Sequence, residues 1–152
     1  MLVTTTRFGA VEVADAALFT FADGLPGFPH RRRFAILEAE RFAPFRWLHS
    51  LEDPGLAFLV IDPLLVKPDY RAEVTPEEAA SIGLQAAESG FVLVILTVPD
   101  HPREMTANLK APLVFNPGPR LARQFILLGA DHPIRHRVFS AAATGPVVPE
   151  PA

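Results

Sequence analysis

The chain has 152 residues, of which 49% are hydrophobic and 20% charged, and its net charge is −3. This balance indicates one folded globular domain with a sizeable core and excludes a disordered chain. The absence of cysteine excludes disulfides, thiolate catalysis and cysteine-ligated zinc. No apolar run approaches the ~20 residues that span a bilayer, and the N-terminus lacks a signal-peptide pattern, so we expect a cytoplasmic protein.

Short apolar runs, separated by many of the 16 prolines and 9 glycines, predict a series of β-strands. The most hydrophobic run, Phe91–Val98, is rich in β-branched residues and is expected to form a central strand buried on both faces. About eight short strands favour an all-β fold, mainly antiparallel, either a small barrel or a sandwich. The predicted strands are Val11–Ala14, Leu18–Phe21, Arg33–Glu40, Arg46–Leu51, Leu56–Asp62, Phe91–Val98, Ala111–Asn116 and Arg123–Gly129.

The segment "DGLPGF", Asp23–Phe28, predicts a turn, because its two glycines tolerate positive φ and its proline fixes its own φ. Two interpretations of its apolar side chains stay open. Leu25, Pro26 and Phe28 could present apolar surface to a protein partner. Alternatively, Leu25 and Phe28 could fold back into the core.

The segment "TPEEAASIG" is typical of a short helix. Thr75 and Glu78 have the spacing of a capping box, Pro76 stands where its missing N–H costs nothing, and Gly83 can end the helix. Beyond it, the chain ends in "AAATGPVVPEPA", which has no apolar period. We expect one domain over residues 1–140 and a disordered tail over 141–152.

A search for catalytic groups favours a binding protein over an enzyme, with neither cofactor nor metal. His132 and His136 are spaced like metal ligands on a helix, but Pro133 between them argues against a helix, so solvated histidines are favoured. Asp53 and Asp62 each precede a proline, which is common turn chemistry. The sequence has no G-x-S-x-G elbow, P-loop or dinucleotide fingerprint.

The charge is unevenly distributed. Phe34–Asp100 contains 11 acidic and 4 basic residues, whereas His101–Ser140 contains 2 acidic and 6 basic residues. Such asymmetry suggests that the charges steer partners. Within the acidic part, Asp69 and Glu73 are candidates for recognition of a basic partner, although a solvated helix start, where acids favour the helix dipole, explains them as well.

A competing interpretation is an RNA-binding barrel that uses basic residues to contact phosphate. These residues are Arg31–Arg33, Arg120, Arg123, Arg135 and Arg137. A single-strand binder also interleaves aromatic residues with bases, and the chain has only one Trp and one Tyr. A third possibility, a hydrolase or sugar-binding enzyme, would need convergent carboxylates that the sequence does not supply.

Several segments, in order along the chain from about Thr5 to Val138, resemble the bacterial flagellar assembly factor FliW family. They are "TRFGAVEV", "FADGLPGF", "PFRWLHSLEDPGLAFLVIDP", "PDY", "LTVPDHPREMTANLKAPLVFNP" and "RQFIL". The combination of "GLPGF", "LAFLVIDP" and "MTANLKAPLVFN" is specific. The chain departs from the family at His49, where glutamine is usual, at Leu64-Leu65, which replace a more aromatic pair, and in its proline-rich tail.

The resemblance implies a small β-barrel-like, non-catalytic protein, monomeric alone, that binds the translational repressor CsrA and also binds flagellin. It implies that CsrA is blocked from flagellin mRNA, that new flagellin displaces CsrA, and that family behaviour favours an allosteric block. No direct binding to nucleic acid or membrane is implied. The candidate partner-binding residues are Leu25, Pro26, Phe28, Asp69, Tyr70 and Glu73.

The stretch "EMTANLKAPLVFNP" places Thr106 and Asn108 just before a predicted strand. Both side chains can cap backbone groups, and Asn tolerates the left-handed conformation. We therefore expect them to hold the loop that leads into the strand, in preference to direct contact with a partner.

Overall fold

Eleven β-strands and one α-helix form the main regular structure of the residues that the computed structural model describes, which are 1–85, 90–129 and 132–139. The helix α1 covers Pro76–Ser81. The strands are β1 (Leu2–Thr5), β2 (Gly9–Glu12), β3 (Leu18–Phe21), β4 (Arg33–Leu37), β5 (Arg46–Ser50), β6 (Ala57–Ile61), β7 (Phe91–Thr97), β8 (Thr106–Ala107), β9 (Leu113–Asn116), β10 (Leu121–Gln124) and β11 (His136–Arg137).

Seven of the strands close into a barrel in the order β3, β4, β5, β6, β7, β9 and β10. All neighbours pair antiparallel except β10 and β3, which run parallel, with Leu121 opposite Thr20 and Ala122 opposite Phe21. Pairing of β7 with β9 completes the ring. The predicted all-β, mainly antiparallel fold with one short helix is confirmed, in its barrel form.

The barrel interior is filled by aromatic and aliphatic side chains that alternate with outward-facing ones along each strand. Phe115 lies at its centre, with ring centroids 5.0 Å from Phe19, 5.7 Å from Phe21 and 4.8 Å from Phe91. Edge-to-face and stacked pairs of this kind add to the free energy gained from burial of their area.

The outer face of the barrel is covered in three places. The β1–β2 hairpin packs over β4 and β5, α1 packs over β9, and the segments around β8 and β11 pack over β6 and β7. As a result β7 is buried on both faces: Leu93 faces the interior, while Val94 and Leu96 join the outer cluster. The prediction for this strand is confirmed.

The capping box of α1 is also confirmed. Thr75 Oγ1 accepts a hydrogen bond from the Glu78 N–H at 3.1 Å, and Glu78 Oε1 accepts one from the Thr75 N–H at 2.9 Å. Gly83, with φ of 77°, ends the helix in the left-handed conformation. None of the described helices is long and apolar enough to cross a bilayer.

The predicted strand Arg123–Gly129 is wrong in its boundaries, since β10 covers Leu121–Gln124. Beyond it, the Phe125 and Leu127 N–H groups donate to the Pro112 and Lys110 carbonyls, at 3.1 and 2.8 Å. These bonds bury Phe125 and Leu127 without extending the ladder. The sequence also did not predict β1, β8 or β11, and the expected tail lies outside the described residues.

Candidate functional site

A groove of about 880 Å³ opens at one end of the barrel. Inward-facing side chains of three barrel strands form its floor, among them Phe19, Ile36 and Phe91, and the β1–β2 hairpin contributes Val11 and Val13 to one wall. We call this cavity the barrel-end groove. Its surface is mainly apolar, as is usual for a binding site.

Charged side chains lie at the end of the barrel interior, where it opens into this groove. Ile36 of β4 lies opposite Leu48 of β5 in the interior. Glu38 follows Ile36 by two residues and Arg46 precedes Leu48 by two, so both side chains face the same side as this interior pair. Their side chains form an ion pair of 3.0 Å between Arg46 Nε and Glu38 Oε1. Glu12 and Asp62 also line the groove, and Glu12 Oε1 lies 3.1 Å from the N-terminal ammonium.

Asp62 shapes one wall of the groove. Its Oδ1 accepts a hydrogen bond of 2.9 Å from the Leu64 N–H, which starts the 3-10 turn Pro63–Leu65. That turn leaves Leu64 51% and Leu65 40% exposed. Exposed leucine side chains beside a mainly apolar groove that is lined by several acidic residues are typical of protein interaction surfaces.

The two predicted acidic contact residues flank this groove. Asp69 and Glu73 are exposed, and Tyr70 and Ala72, which line the groove, are their neighbours in the sequence. Asp69 and Glu73 thus lie in the segment that forms one side of the barrel-end groove.

Tyr70, predicted as a contact residue, is instead a core residue. It is 6% exposed, and its hydroxyl donates a hydrogen bond of 2.8 Å to the Leu109 carbonyl. Burial raises the pKa of Tyr70 from 10.0 to about 12, because the phenolate would lose its hydration. The phenol ring therefore supports the groove wall but offers no exposed group to a partner.

The folded chain binds the phenol proton of Tyr70 more tightly than the unfolded chain does. The free energy of unfolding is therefore expected to fall as the solution becomes strongly alkaline. The contribution of Tyr70 is fully present below about pH 10 and is lost as pH rises towards about 12, by at most about 1.4 kcal/mol per pH unit. We expect urea unfolding of the wild type to show this decline and that of Tyr70→Phe to lose it. Tyr70 is the only tyrosine, so phenolate absorbance reports its titration directly, and a phenolate that forms near pH 10 in the folded protein would contradict the assignment.

The loop Leu25–Phe28 lies at the opposite end of the barrel, close to Ile95 and Thr97 in the second half of β7. There it borders a cavity of about 320 Å³. The N–H and carbonyl groups of Leu25 and Phe28 bond each other reciprocally, at 2.7 and 3.3 Å. Leu25 is 2% exposed and Phe28 39%. The expectation that Leu25 presents its side chain to a partner is therefore corrected: it belongs to the barrel core, while Pro26 and Phe28 remain exposed.

Asn108 holds the loop that leads into β9. Its Oδ1 accepts hydrogen bonds of 3.2 Å from both the Lys110 and the Ala111 N–H groups, which fixes the turn into β9. Thr106 contributes differently, as a residue of β8 paired with Thr97 on one side and Arg137 on the other.

Comparison with known proteins identifies the family of this barrel. The profile of the FliW protein family matches residues 2–138. The chain belongs to the FliW family. It is 40% identical to the flagellar assembly factor FliW of Bdellovibrio bacteriovorus over 140 residues, which cover 92% of this chain and 80% of that protein. It is 38% identical to the protein of the same name from Heliobacterium modesticaldum over 144 residues, with 95% and 94% of the two chains covered.

A crystal structure of the flagellar assembly factor FliW has the same fold, with a TM-score of 0.84 and 31% identity over 94% of this chain and all of that one. The FliW resemblance stated from sequence motifs is thereby confirmed. The names of these relatives describe an assembly factor and not an enzyme.

The basic residues of this FliW-family chain are dispersed and partly engaged by other groups. Glu52 Oε1 accepts from the backbone N–H groups of Arg32 and Arg33 at 2.7 and 3.0 Å. In the same cluster, Arg31 Nε lies 4.0 Å from Asp53 Oδ2. The Arg33 bond first, then the Arg32 bond and the nearby guanidinium charges, hold the pKa of Glu52 below its usual value. An ionised carboxylate thus stands beside the Arg31–Arg33 cluster, which offsets its attraction for phosphate.

Two further basic side chains have partners of their own. Arg123 pairs with Asp23 at 3.0 Å, and Arg120 donates to the Asp15 carbonyl at 2.7 Å. Elsewhere, no three His, Asp or Glu side chains of the described residues lie together as metal ligands. His136 lies in β11 and the His132 ring packs edge-on against Tyr70, so the two have separate surroundings.

Sequence reasoning proposed Asp69 and Glu73 as contact residues, which stays a prediction, and missed the barrel-end groove beside their segment. The missing residues come from strands far apart in the chain. One signal in the sequence could have located the groove. Glu38 and Arg46 each occupy an inward-facing position at the end of a predicted strand, and a charged residue there marks the point where the barrel interior meets solvent.

Proposed function

We propose that this chain is a flagellar assembly factor that binds the translational repressor CsrA, antagonises its repression of flagellin mRNA, and binds flagellin. It has no catalytic role. Free flagellin displaces CsrA from the protein, and secretion of flagellin releases the protein for CsrA again. Flagellin synthesis is coupled to secretion through this exchange.

The observation that carries the CsrA part is the acidic margin of the barrel-end groove. Asp69 and Glu73 are exposed next to the groove-lining Tyr70 and Ala72, with Arg71 between them. Glu12, Glu38 and Asp62 line the groove. Arg46 pairs with Glu38 and the N-terminal ammonium pairs with Glu12, so the acidic character comes mainly from Asp62, Asp69 and Glu73. A repressor that binds RNA carries basic surface, and complementary charge accelerates encounter and selects the partner. The apolar floor and the exposed Leu64 and Leu65 supply area for a stable complex.

Binding through this surface is compatible with an allosteric block of CsrA. Such a block requires that the protein occupy a site on CsrA other than its RNA site and favour the conformation with low affinity for RNA. By linkage, RNA must then weaken the affinity of CsrA for this protein by the same factor. Under a steric block the two ligands would never be bound together.

The direct test mixes the purified chain with CsrA and flagellin from the same cell and separates the complexes by size exclusion. We expect a complex with each partner and loss of the CsrA complex as flagellin is added. Failure to form either complex at micromolar concentrations would overturn the proposal. Affinity of the chain for flagellin mRNA itself, falling steeply with salt, would support the RNA-binding alternative instead.

The Glu73→Lys variant tests the acidic margin. We expect it to slow association with CsrA about fivefold at low ionic strength and much less at high ionic strength, because salt screens exposed charges. The free energy of unfolding should stay within about 0.5 kcal/mol of wild type, as is usual for exposed sites. Stopped-flow association and urea unfolding measure the two quantities.

Glu104→Lys is the matched control. It changes the charge by the same amount at an exposed position, in the 3-10 turn Pro102–Glu104 that follows the far end of β7. We expect its association rate to stay near that of wild type. Equal rates for the two variants at low ionic strength would show that the CsrA surface lies elsewhere.

A further inference from the structure

A second surface of the molecule has the opposite charge. Trp47 of β5 faces outward, because its neighbour Leu48 faces the barrel interior. The turn after β1 brings Arg7 and Phe8 to its ring. The 3-10 turn Glu40–Phe42 brings Arg41 and Phe42 to the ring of Phe8. We call these five side chains, Arg7, Phe8, Arg41, Phe42 and Trp47, the Arg–aromatic stack.

The rings and guanidinium groups of the stack lie in continuous contact. The Arg7 guanidinium carbon lies 4.1 Å from the Trp47 ring centroid. Phe8 meets Trp47 edge-on at 6.3 Å and stacks on Phe42 at 5.8 Å. The Arg41 guanidinium carbon lies 5.3 Å from the Phe8 centroid and 5.7 Å from that of Phe42.

The backbone holds this arrangement in place. Thr5 Oγ1 donates to the Gly9 carbonyl at 2.8 Å and accepts from the Phe8 N–H at 2.7 Å. The Thr6 N–H donates to the Pro54 carbonyl at 2.9 Å. A surface fixed in this way loses little conformational entropy when a partner binds.

The guanidinium groups of the stack differ from others in the same protein. Arg123 also lies over an aromatic ring, at 5.5 Å from Phe125, but it pairs with Asp23 at 3.0 Å. Within the described part of the chain, no carboxylate lies within 4.0 Å of Arg7 or Arg41. Both are exposed, so their N–H donors are free to meet an acidic group from another molecule.

We propose that the Arg–aromatic stack is a docking surface for an acidic segment of a protein partner. Arg7 and Arg41 would each bind an Asp or Glu carboxylate through paired N–H donors, and the faces of Trp47 and Phe8 would receive an apolar or aromatic neighbour of that carboxylate. Trp, Phe and Arg are among the residues enriched at protein interfaces, and Trp and Arg are frequent among those that contribute most of the binding energy. This inference is independent of the CsrA proposal, which concerns the acidic groove.

The chain offers its own probe, because Trp47 is its only tryptophan. We would titrate the protein with a Glu–Tyr copolymer, exciting tryptophan selectively, and follow Trp47 emission together with the anisotropy of the labelled polymer. A Lys–Tyr copolymer and a short oligouridylate are titrated in parallel. We expect saturable binding of the Glu–Tyr copolymer, weakened by salt and accompanied by a change in Trp47 emission. A Lys–Tyr copolymer that binds the acidic groove should leave Trp47 emission unchanged, and oligouridylate should not bind.

The double variant Arg7→Gln/Arg41→Gln should lose at least about tenfold in affinity for the Glu–Tyr copolymer, whereas Arg123→Gln should stay within about twofold of wild type. Arg7→Lys, which keeps the charge but loses the planar fork, should lose an intermediate amount and guards against a folding defect in the double variant. Equal affinity of wild type and double variant would overturn the proposal. Tighter binding of oligouridylate, dependent on the same two arginines, would overturn it in favour of nucleic acid. Neither CsrA nor flagellin is present, so the result does not depend on the proposed function.

Discussion

Replacing Leu25 with serine is expected to lower the free energy of unfolding by about 3 kcal/mol. The side chain is 2% exposed and belongs to the interior cluster of the barrel together with Phe34 and Leu48. The substitution removes buried apolar area, leaves a cavity and buries a hydroxyl. Urea unfolding measures the change, and any loss of partner binding should follow the loss of folded protein.

Phe28→Ser is the matched control in the same loop. Phe28 is partly exposed and contacts Phe58 edge-on at 5.8 Å, so its replacement should cost only about 1 kcal/mol. If this loop contacts a partner, Phe28→Ser is the variant that should weaken binding while the fold persists. A Leu25→Ser protein as stable as wild type would contradict the core assignment.

Those parts of the fold that depend on local patterns were predictable from the sequence. Short apolar runs bounded by turn residues located β3, β4, β5, β6 and β7 to within a few residues. The capping box of α1 was predictable because its donors and acceptors lie three residues apart.

The closure of the barrel was not predictable, because it depends on pairs that are distant in the chain. Strands β3 and β10 meet in parallel about a hundred residues apart, and nothing local in either strand specifies its partner. The end of β10 was misplaced for the same reason. The apolar run continues past Gln124, but the N–H groups of Phe125 and Leu127 donate to the Pro112 and Lys110 carbonyls outside the ladder.

The candidate site shows the same division. Asp69 and Glu73 were proposed as contact residues because acids near a helix start are visible in the sequence, and that role stays a prediction. Tyr70, between them, was misassigned, because its hydrogen-bond acceptor lies 39 residues away at Leu109. An aromatic residue next to charges is consistent with either an interface or a core, and only the tertiary contact decides between them.

Gly24→Ala is expected to lower the free energy of unfolding by at least about 3 kcal/mol. This is the largest effect that we expect from adding one methyl group to the loop 24–28. Gly24 has φ of 65°, and a Cβ there would lie 2.6 Å from the Phe28 carbonyl oxygen and 2.7 Å from the Pro29 Cα. These neighbours are backbone atoms, so the loop itself would have to move. Movement of the loop would pull Leu25 from the barrel interior, so that the backbone strain adds to a packing loss.

Gly27→Ala separates the two causes. Gly27 has a similar φ of 82°, but a Cβ at that position would have no atom within 4 Å. The free energy of unfolding of Gly27→Ala should therefore fall only by the cost of placing an alanine in the left-handed conformation, about 1 kcal/mol. Urea unfolding of both variants at one temperature gives the comparison. If the two substitutions cost the same, the conformation of the glycines would account for the whole effect, and the close approach of Phe28 and Pro29 to Gly24 would play no part in holding this end of the barrel closed.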